Sequence, residues 1–394
     1  MIEKFDCTGC GACYNICEKN AVIKRKNKLG FYYPVINKEI CNKCQRCTNI
    51  CPTNHIQKKS IFYSDLSKCH SFIAVAKSEY ELDSSSSGGA FSALVKSFFK
   101  EETGFLYAAE FNEEFTLQHI EYKIGEDNFS PSKKSKYVQS DFWQIYKVAK
   151  ERLKAGYKVM IVGTPCQIAG IKAYLGNKYE KLLLVDLLCT GVGSPAVLNE
   201  HIKLLSKRRN KKVINYIMRN KVRDKIGRWS VMEYYIEYED GSVEKNGFYS
   251  NMFRRIFGKR HFFRDSCYSC KFKKPERCGD ITIGDWWGNR YSEYLKCDKG
   301  VSAVIINNER YIYLKKEMAE IMYVHDIDYS EIIEQQPALK NGIIKNESPR
   351  LKRYNSKSIQ MQLYLDSIFP VSELTKSFIK KILPSTILKR FIKT

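Results

Sequence analysis

Eight of the fifteen cysteines stand in two runs of identical spacing, Cys7-x2-Cys10-x2-Cys13-x3-Cys17 and Cys41-x2-Cys44-x2-Cys47-x3-Cys51, the second followed by Pro52. Closely spaced thiolates on a tight loop can hold three corners of an iron–sulfur cubane, while the fourth cysteine opens a helix that carries it to the neighbouring cluster. Crossed ligation is therefore expected, with Cys7, Cys10, Cys13 and Cys51 on one [4Fe–4S] cluster and Cys41, Cys44, Cys47 and Cys17 on the other. Zinc knuckles pair two C-x2-C halves across a longer spacer, and neither run has that form. Glu18 replaces the proline that usually follows such a run; its negative charge beside a thiolate cluster is expected to lower that cluster's potential.

A third group, Cys267-x2-Cys270-x7-Cys278, lacks a fourth thiol nearby. Cys166 or Cys189, each at the end of an expected strand, could complete it. Cys69 and Cys297 fall outside every group, with no histidine or base beside them, and read as structural. Residues 84–95 place serines and glycines ahead of a helix-period apolar pattern, where free amides and hydroxyls could hold a phosphate. A flexible serine linker that caps a helix fits the same composition.

These residues need elements to position them. Residues 21–23 and 31–35 read as short strands that supply an apolar shell for the clusters, and a new domain is expected near residue 61. Residues 71–76, 158–162 and 182–188 read as buried strands. The second turns through Gly163-Thr164-Pro165-Cys166-Gln167 into a helix carrying Ile168, Ile171 and Leu175, and the third runs through Cys189 to Pro195 into a helix reaching Leu205. Such alternation predicts α/β architecture with sites at strand C-termini. Residues 230–248, with Asp240-Gly241 as turn, predict an antiparallel hairpin.

The chain has 394 residues, 44% of them apolar and 13% aromatic, enough for two or three domains. It shows no secretory signal and no apolar run long enough for a membrane span, so the expectation is a soluble, cytosolic protein with reduced, metal-binding cysteines rather than a disulfide framework. The 66 Lys and Arg against 43 Asp and Glu leave a formal charge of +23, which would attract nucleic acid, anionic lipid or an acidic protein. The lysines are scattered rather than gathered into a nucleic-acid module, so that partner is disfavoured.

Five motifs in order carry a resemblance: Ser85-Ser86-Ser87-Gly88-Gly89, Ser135-Lys136-Tyr137-Val138-Gln139-Ser140, Gly163-Thr164-Pro165-Cys166-Gln167, Val185-Asp186-Leu187-Leu188-Cys189, and the segment from Cys267 to Gly288. Over residues 3–345 the chain resembles the coenzyme F-420 hydrogenase/dehydrogenase beta-subunit family, which includes flavin- and iron–sulfur-dependent reductases such as hydroxymethyl chlorophyll a reductase. The resemblance implies FAD beside a third [4Fe–4S] cluster. It casts Ser87, Gly88, Gly89, Lys136, Tyr137 and Thr164 as flavin contacts, and Cys166, Cys189, Cys267 and Cys270 as cluster ligands, with Cys278 in reserve.

The expected fold is thus α+β: a bacterial-type dicluster ferredoxin domain over residues 1–60, then an α/β flavin-binding domain with an antiparallel hairpin region over 61–345. A basic amphipathic tail over 346–394 could lie on an anionic membrane or pack on a domain or partner. The expected function is a flavin-dependent iron–sulfur oxidoreductase acting on a small-molecule substrate or a redox protein, with cell-surface polysaccharide assembly as a setting that membrane contact would suit. The alternative is a non-catalytic electron-transfer subunit of a larger redox complex. No motif designates a general acid among His70, His119, His201 and His261.

Overall fold

The computed structural model describes residues 6–54, 63–223, 229–246, 251–288, 295 and 297–340. The amphipathic tail over 346–394 lies outside them. Among the described residues no helix is long and apolar enough to cross a membrane.

The N-terminal segment pairs β1 (Val22–Lys26) with β2 (Tyr32–Ile36) antiparallel, one residue along from the sequence expectation. Two short helices, Ala12–Asn15 and Arg46–Asn49, carry the third cysteine of each quartet, Cys13 and Cys47, so the fourth cysteine follows a helix rather than opening one as expected. The shell expected from the strands is small: its own buried cluster is Cys7, Phe31 and Tyr33. The rest of its packing comes from the body of the chain.

That body is built on β3 (His70–Ala76), β4 (Gly104–Phe111), β5 (Leu117–Lys123), β6 (Lys158–Gly163) and β7 (Leu182–Leu187). A separate three-stranded sheet joins β8 (Val213–Arg223), β9 (Trp229–Tyr238) and β10 (Val243–Asn246). The chain then returns to the main sheet with β11 (Ile281–Asp285), β12 (Ser302–Ile306) and β13 (Met322–Asp326). The main sheet has eight strands in the order β13-β3-β12-β11-β7-β6-β4-β5.

Only β4, β6, β7 and β11 run parallel; antiparallel strands flank them on both sides. The architecture is therefore mixed rather than purely alternating α/β. Its parallel centre explains the unbroken apolar runs of β6 and β7, since strands covered on both faces need no polar side. Along them the side chains alternate: Met160, Val162, Leu183 and Val185 face the Ala90–Phe99 helix, whereas Val159, Ile161, Leu182 and Leu184 face the helices Ile145–Lys154 and Pro165–Leu175.

The predicted hairpin is β9 and β10, turning at Asp240-Gly241, but its larger partner is β8, whose pairing with β9 contains register shifts. This sheet packs with the helices Pro195–Arg209 and Met252–Gly258 through Ile202, Leu205, Tyr216, Ile236 and Phe253.

Candidate functional site

Cys7, Cys10, Cys13 and Cys51 line one pocket together with Cys47, Thr53, Pro34 and Trp143. Burial pushes the Cys10 thiol up to about 12, and the neighbouring Cys51, Cys7 and Cys166 push in the same direction. Cys13 is raised by burial and then by Cys10, Cys7, Cys51 and Cys47. Crowded, buried thiols of this kind cannot ionise alone; bound iron supplies the positive charge that makes them thiolates.

The other quartet lies at the surface, with Cys44 exposed and Cys17, Cys41 and Cys47 half-buried. Cys17 Sγ accepts the Ala21 backbone N–H at 3.2 Å. Glu18 ion-pairs with Arg46 at 2.5 Å, and Cys44 and Cys17 act on the same guanidinium. The lowering of potential expected from Glu18 is thus opposed by the cation it pairs with.

The third group assembles from three separate stretches. Cys166 stands in the first turn of the Pro165–Leu175 helix, whose N-terminus is closed by the reciprocal Thr164 and Gln167 capping box. Cys189 follows β7, Cys267 sits in the short helix Asp265–Tyr268, and Cys270 lies just beyond it. Burial raises Cys166 to about 11, with Cys270 adding to the rise. Burial raises Cys189 to about 12, helped by Cys166 and Cys270, and Cys267 is raised by burial and then by Cys270, Cys189 and Cys166. Cys278 does not join them. Its thiol is buried and raised to about 12 by burial and then by Asp186, and its backbone N–H donates to Asp186 Oδ2 at 3.1 Å.

The thiol sets suit a soft, sulfur-ligated centre. Among the described residues no group of three or more His, Cys, Asp or Glu is arranged to hold a single metal ion.

The first and third groups adjoin. A Cβ on Gly170 would stand 2.8 Å from Cys10 Cβ and Sγ and 2.7 Å from the Tyr146 hydroxyl. Gly170 is one turn along the helix from Cys166, about 6 Å of rise. The contact is secured by the Tyr146 hydroxyl donating to the Cys10 carbonyl at 2.8 Å and Trp143 Nε1 donating to the Gly9 carbonyl at 2.7 Å. Gly170→Val should separate the two groups and cost about 1–3 kcal/mol, read as a lowered midpoint in denaturant unfolding.

The serine–glycine loop and the Ser135–Ser140 motif meet: the Ser135 N–H donates to Ser86 Oγ at 2.7 Å. Ser87 Oγ donates to the Val301 carbonyl at 2.7 Å, and a Cβ on Gly88 would strike the Ala74 carbonyl at 2.2 Å. Gly89 caps the Ala90–Phe99 helix with φ +92°. Lys136 Nζ donates to the carbonyls of Ser132, Lys133 and Lys134. Tyr137 lies under the Arg254 guanidinium, 3.9 Å from the ring centroid, and its carbonyl accepts from Gly193 N–H at 3.2 Å. Gly193 also bridges to Phe263, so this loop abuts the chain between Cys189 and Cys267. Thr164 Oγ1 lies 3.3 Å from Cys166 Sγ and donates to Gln167 Oε1, and Gln167 Nε2 donates to Ser140 Oγ at 3.0 Å.

Sequence reasoning missed two lysines here. Lys134 Nζ donates to Asn220 Oδ1 at 2.7 Å, and Lys221 Nζ donates to the Ser87 carbonyl at 2.6 Å and to the Leu82 carbonyl. Burial lowers Lys136 to about 7 and Lys221 to about 8, and it lowers Lys134 as well. Their acceptors are neutral oxygens. Lys221 lies on β8, far from any motif, and nothing in its sequence neighbourhood marks it.

Residues 156–330 match the family model for the C terminus of the coenzyme F420 hydrogenase/dehydrogenase beta subunit. That segment is similar to this family. Residues 6–55 match a 4Fe-4S dicluster domain. The segment 156–330 contains all four cysteines of the third group, Cys166, Cys189, Cys267 and Cys270, besides Cys278 and Cys297, whereas the dicluster segment contains both quartets. The chain is therefore an iron–sulfur protein related to redox subunits. A chain of the F420-reducing [NiFe] hydrogenase complex from Methanosarcina barkeri is similar at 14% identity and a TM-score of 0.45, with 82% of this chain and 93% of that one covered. No curated protein matches the chain.

Proposed function

We propose that the protein is a flavin-dependent iron–sulfur oxidoreductase. In this reading Cys7, Cys10, Cys13 and Cys51 hold one cubane, Cys41, Cys44, Cys47 and Cys17 a second, and Cys166, Cys189, Cys267 and Cys270 a third. The observation that carries it is the convergence of the last four thiols, drawn from three stretches of chain, beside Cys10 of the first quartet. Exposed Cys44 makes the second quartet the point of exchange with a redox protein, and buried Cys10 of the first quartet leads inward toward Cys166.

FAD suits the loop side of the third group. When bound, a flavin exchanges electrons in pairs with a substrate and singly with clusters. Lys134, Lys136 and Lys221 hold three ammonium groups whose direct hydrogen-bond acceptors are neutral oxygens, and a flavin diphosphate would add negative charge to that of Asp83 and Glu110. The backbone around Ser86 and Tyr137 would place that diphosphate, since the Ser87 hydroxyl and the Lys136 ammonium are already engaged within the fold. Those engagements favour, as a second reading, a relay subunit that passes electrons to a partner without a flavin.

Iron, acid-labile sulfide and released flavin per chain decide between them. About twelve iron with one FAD is the expected result, and about eight iron without flavin would leave only the relay. A pH series gives a further check. Lys136 is lowered to about 7, so it is charged below that pH and neutral above it. Flavin affinity should therefore fall by about tenfold between about pH 6 and about pH 8.5, and Lys136→Met should flatten the dependence, as read by flavin fluorescence quenching. The substrate class and any membrane contact of the tail belong to this proposal too, and liposome binding by the full chain but not by a chain lacking residues 372–394 would establish the latter.

A further inference from the structure

Arg264 is 1% exposed, and no carboxylate of the described residues pairs with it. Its Nε donates to the Cys7 carbonyl at 2.7 Å, Nη1 to Gln139 Oε1 at 2.7 Å and Nη2 to the Tyr32 carbonyl at 2.9 Å. Nη2 also reaches Cys7 Sγ at 3.7 Å. The Tyr33 and Phe31 rings lie 4.1 and 5.6 Å from the guanidinium carbon, and Gly9 leaves room for it, since a Cβ there would stand 2.8 Å away. The main chain of the same residue belongs to the other group. Arg264 N–H donates to the Val192 carbonyl at 3.2 Å, and its carbonyl accepts the Cys267 N–H at 2.8 Å.

A buried guanidinium surrounded by neutral acceptors is strongly unfavourable unless an anion lies nearby. Every acceptor here orients the group, and none neutralises it. The anion that fits the position is thiolate-ligated iron at Cys7, whose Sγ Nη2 approaches, and at the third group, where the same charge acts on Cys166. We propose that Arg264 is the shared counter-charge of these two cluster sites and raises the reduction potential of both, most strongly at the Cys7 site. The inference rests on the ligand sets proposed above. Reduction adds one electron to a centre that is already negative, with no bond or proton changed, and a fixed cation donating toward a ligand sulfur stabilises the reduced form. Arg264 is thus a positioning and tuning residue rather than a ligand.

The test is an EPR-monitored potentiometric titration of the full chain loaded anaerobically with iron and sulfide, a mediator giving up one electron for each cluster reduced. Arg264→Gln should disfavour reduction of the Cys7-site cluster at least tenfold, about 59 mV for a one-electron couple, with a smaller downward shift at the Cys267 site. Arg264→Lys should recover most of the shift. Gln139→Glu places a carboxylate on Nη1 without changing side-chain shape, so it should lower the same midpoint, and it decides the matter if Arg264→Gln fails to retain iron. Unmoved midpoints in Gln139→Glu at full iron content, or in Arg264→Gln where it also keeps its iron, would overturn the role of Arg264. Wild-type protein with about eight iron would instead overturn the third ligand set.

Discussion

Replacing Cys270 with alanine should take the iron content from about twelve to about eight per chain, the remainder staying on the two N-terminal quartets. The expectation follows from the position of Cys270 among Cys166, Cys189 and Cys267, each of whose thiols it helps to raise. With one of four thiolates gone, the other three retain a cluster poorly. The eight ferredoxin-type cysteines lie on a different segment and keep theirs. Cys278→Ala is the matched control, since the charges acting on its thiol are those of Asp186, Arg277 and Lys172. An unchanged iron count in Cys270→Ala, or a loss of iron in Cys278→Ala, would exchange the two residues' roles. Flavin reduction by a donor that enters at the quartets should collapse in Cys270→Ala, while direct chemical reduction of the flavin should survive.

Asp186→Ala should be the most destabilising single substitution in the body. Asp186 is fully buried and accepts from Arg277 Nε and Nη2, the backbone N–H groups of Cys278 and Gly279, and the Thr282 hydroxyl. Arg277 is itself 1% exposed, so removing the carboxylate strands a buried cation and two amides together. Breaking one side of such a pair costs about 3–5 kcal/mol, on the order of 10 °C in thermal midpoint for a domain of this size. The network joins β7 to the chain carrying Cys270 and Cys278, so iron should also be lost from the third group on heating before the quartets lose theirs. Replacing both partners, Asp186→Leu with Arg277→Met, should return much of the stability, because a buried pair gains little over well-packed apolar side chains. Equal thermal midpoints for Asp186→Ala and wild type would remove the network from the account of stability.

The quartets were legible because everything they need is local: cysteine spacing specifies which thiols share a loop, and only the crossing of Cys17 and Cys51 depends on three dimensions. The strands 158–162 and 182–188 were legible because residues covered on both faces are uniformly apolar. The sheet's margins were not. β4, β5, β12 and β13 mix polar and apolar residues or follow no turn signal, and antiparallel pairing across long intervals, such as β12 with β3, leaves no mark in periodicity. The third thiol group was half legible. Cys267 and Cys270 are sequence neighbours, but their meeting with Cys166 and Cys189 is set by parallel strand order, which places the ends of β6 and β7 side by side. Arg264, Trp143 and Tyr146 were invisible for the same reason, each acting on residues more than a hundred positions away.

The N-terminal segment has almost no interior of its own, with Cys7, Phe31 and Tyr33 as its buried cluster, and it leans on Trp143, Tyr146, Gly170 and Arg264. A ribosome makes the quartets first and their supports last. In chain order the quartets precede the side chains they lean on, so full packing around the clusters is expected only once residues 140–270 have folded.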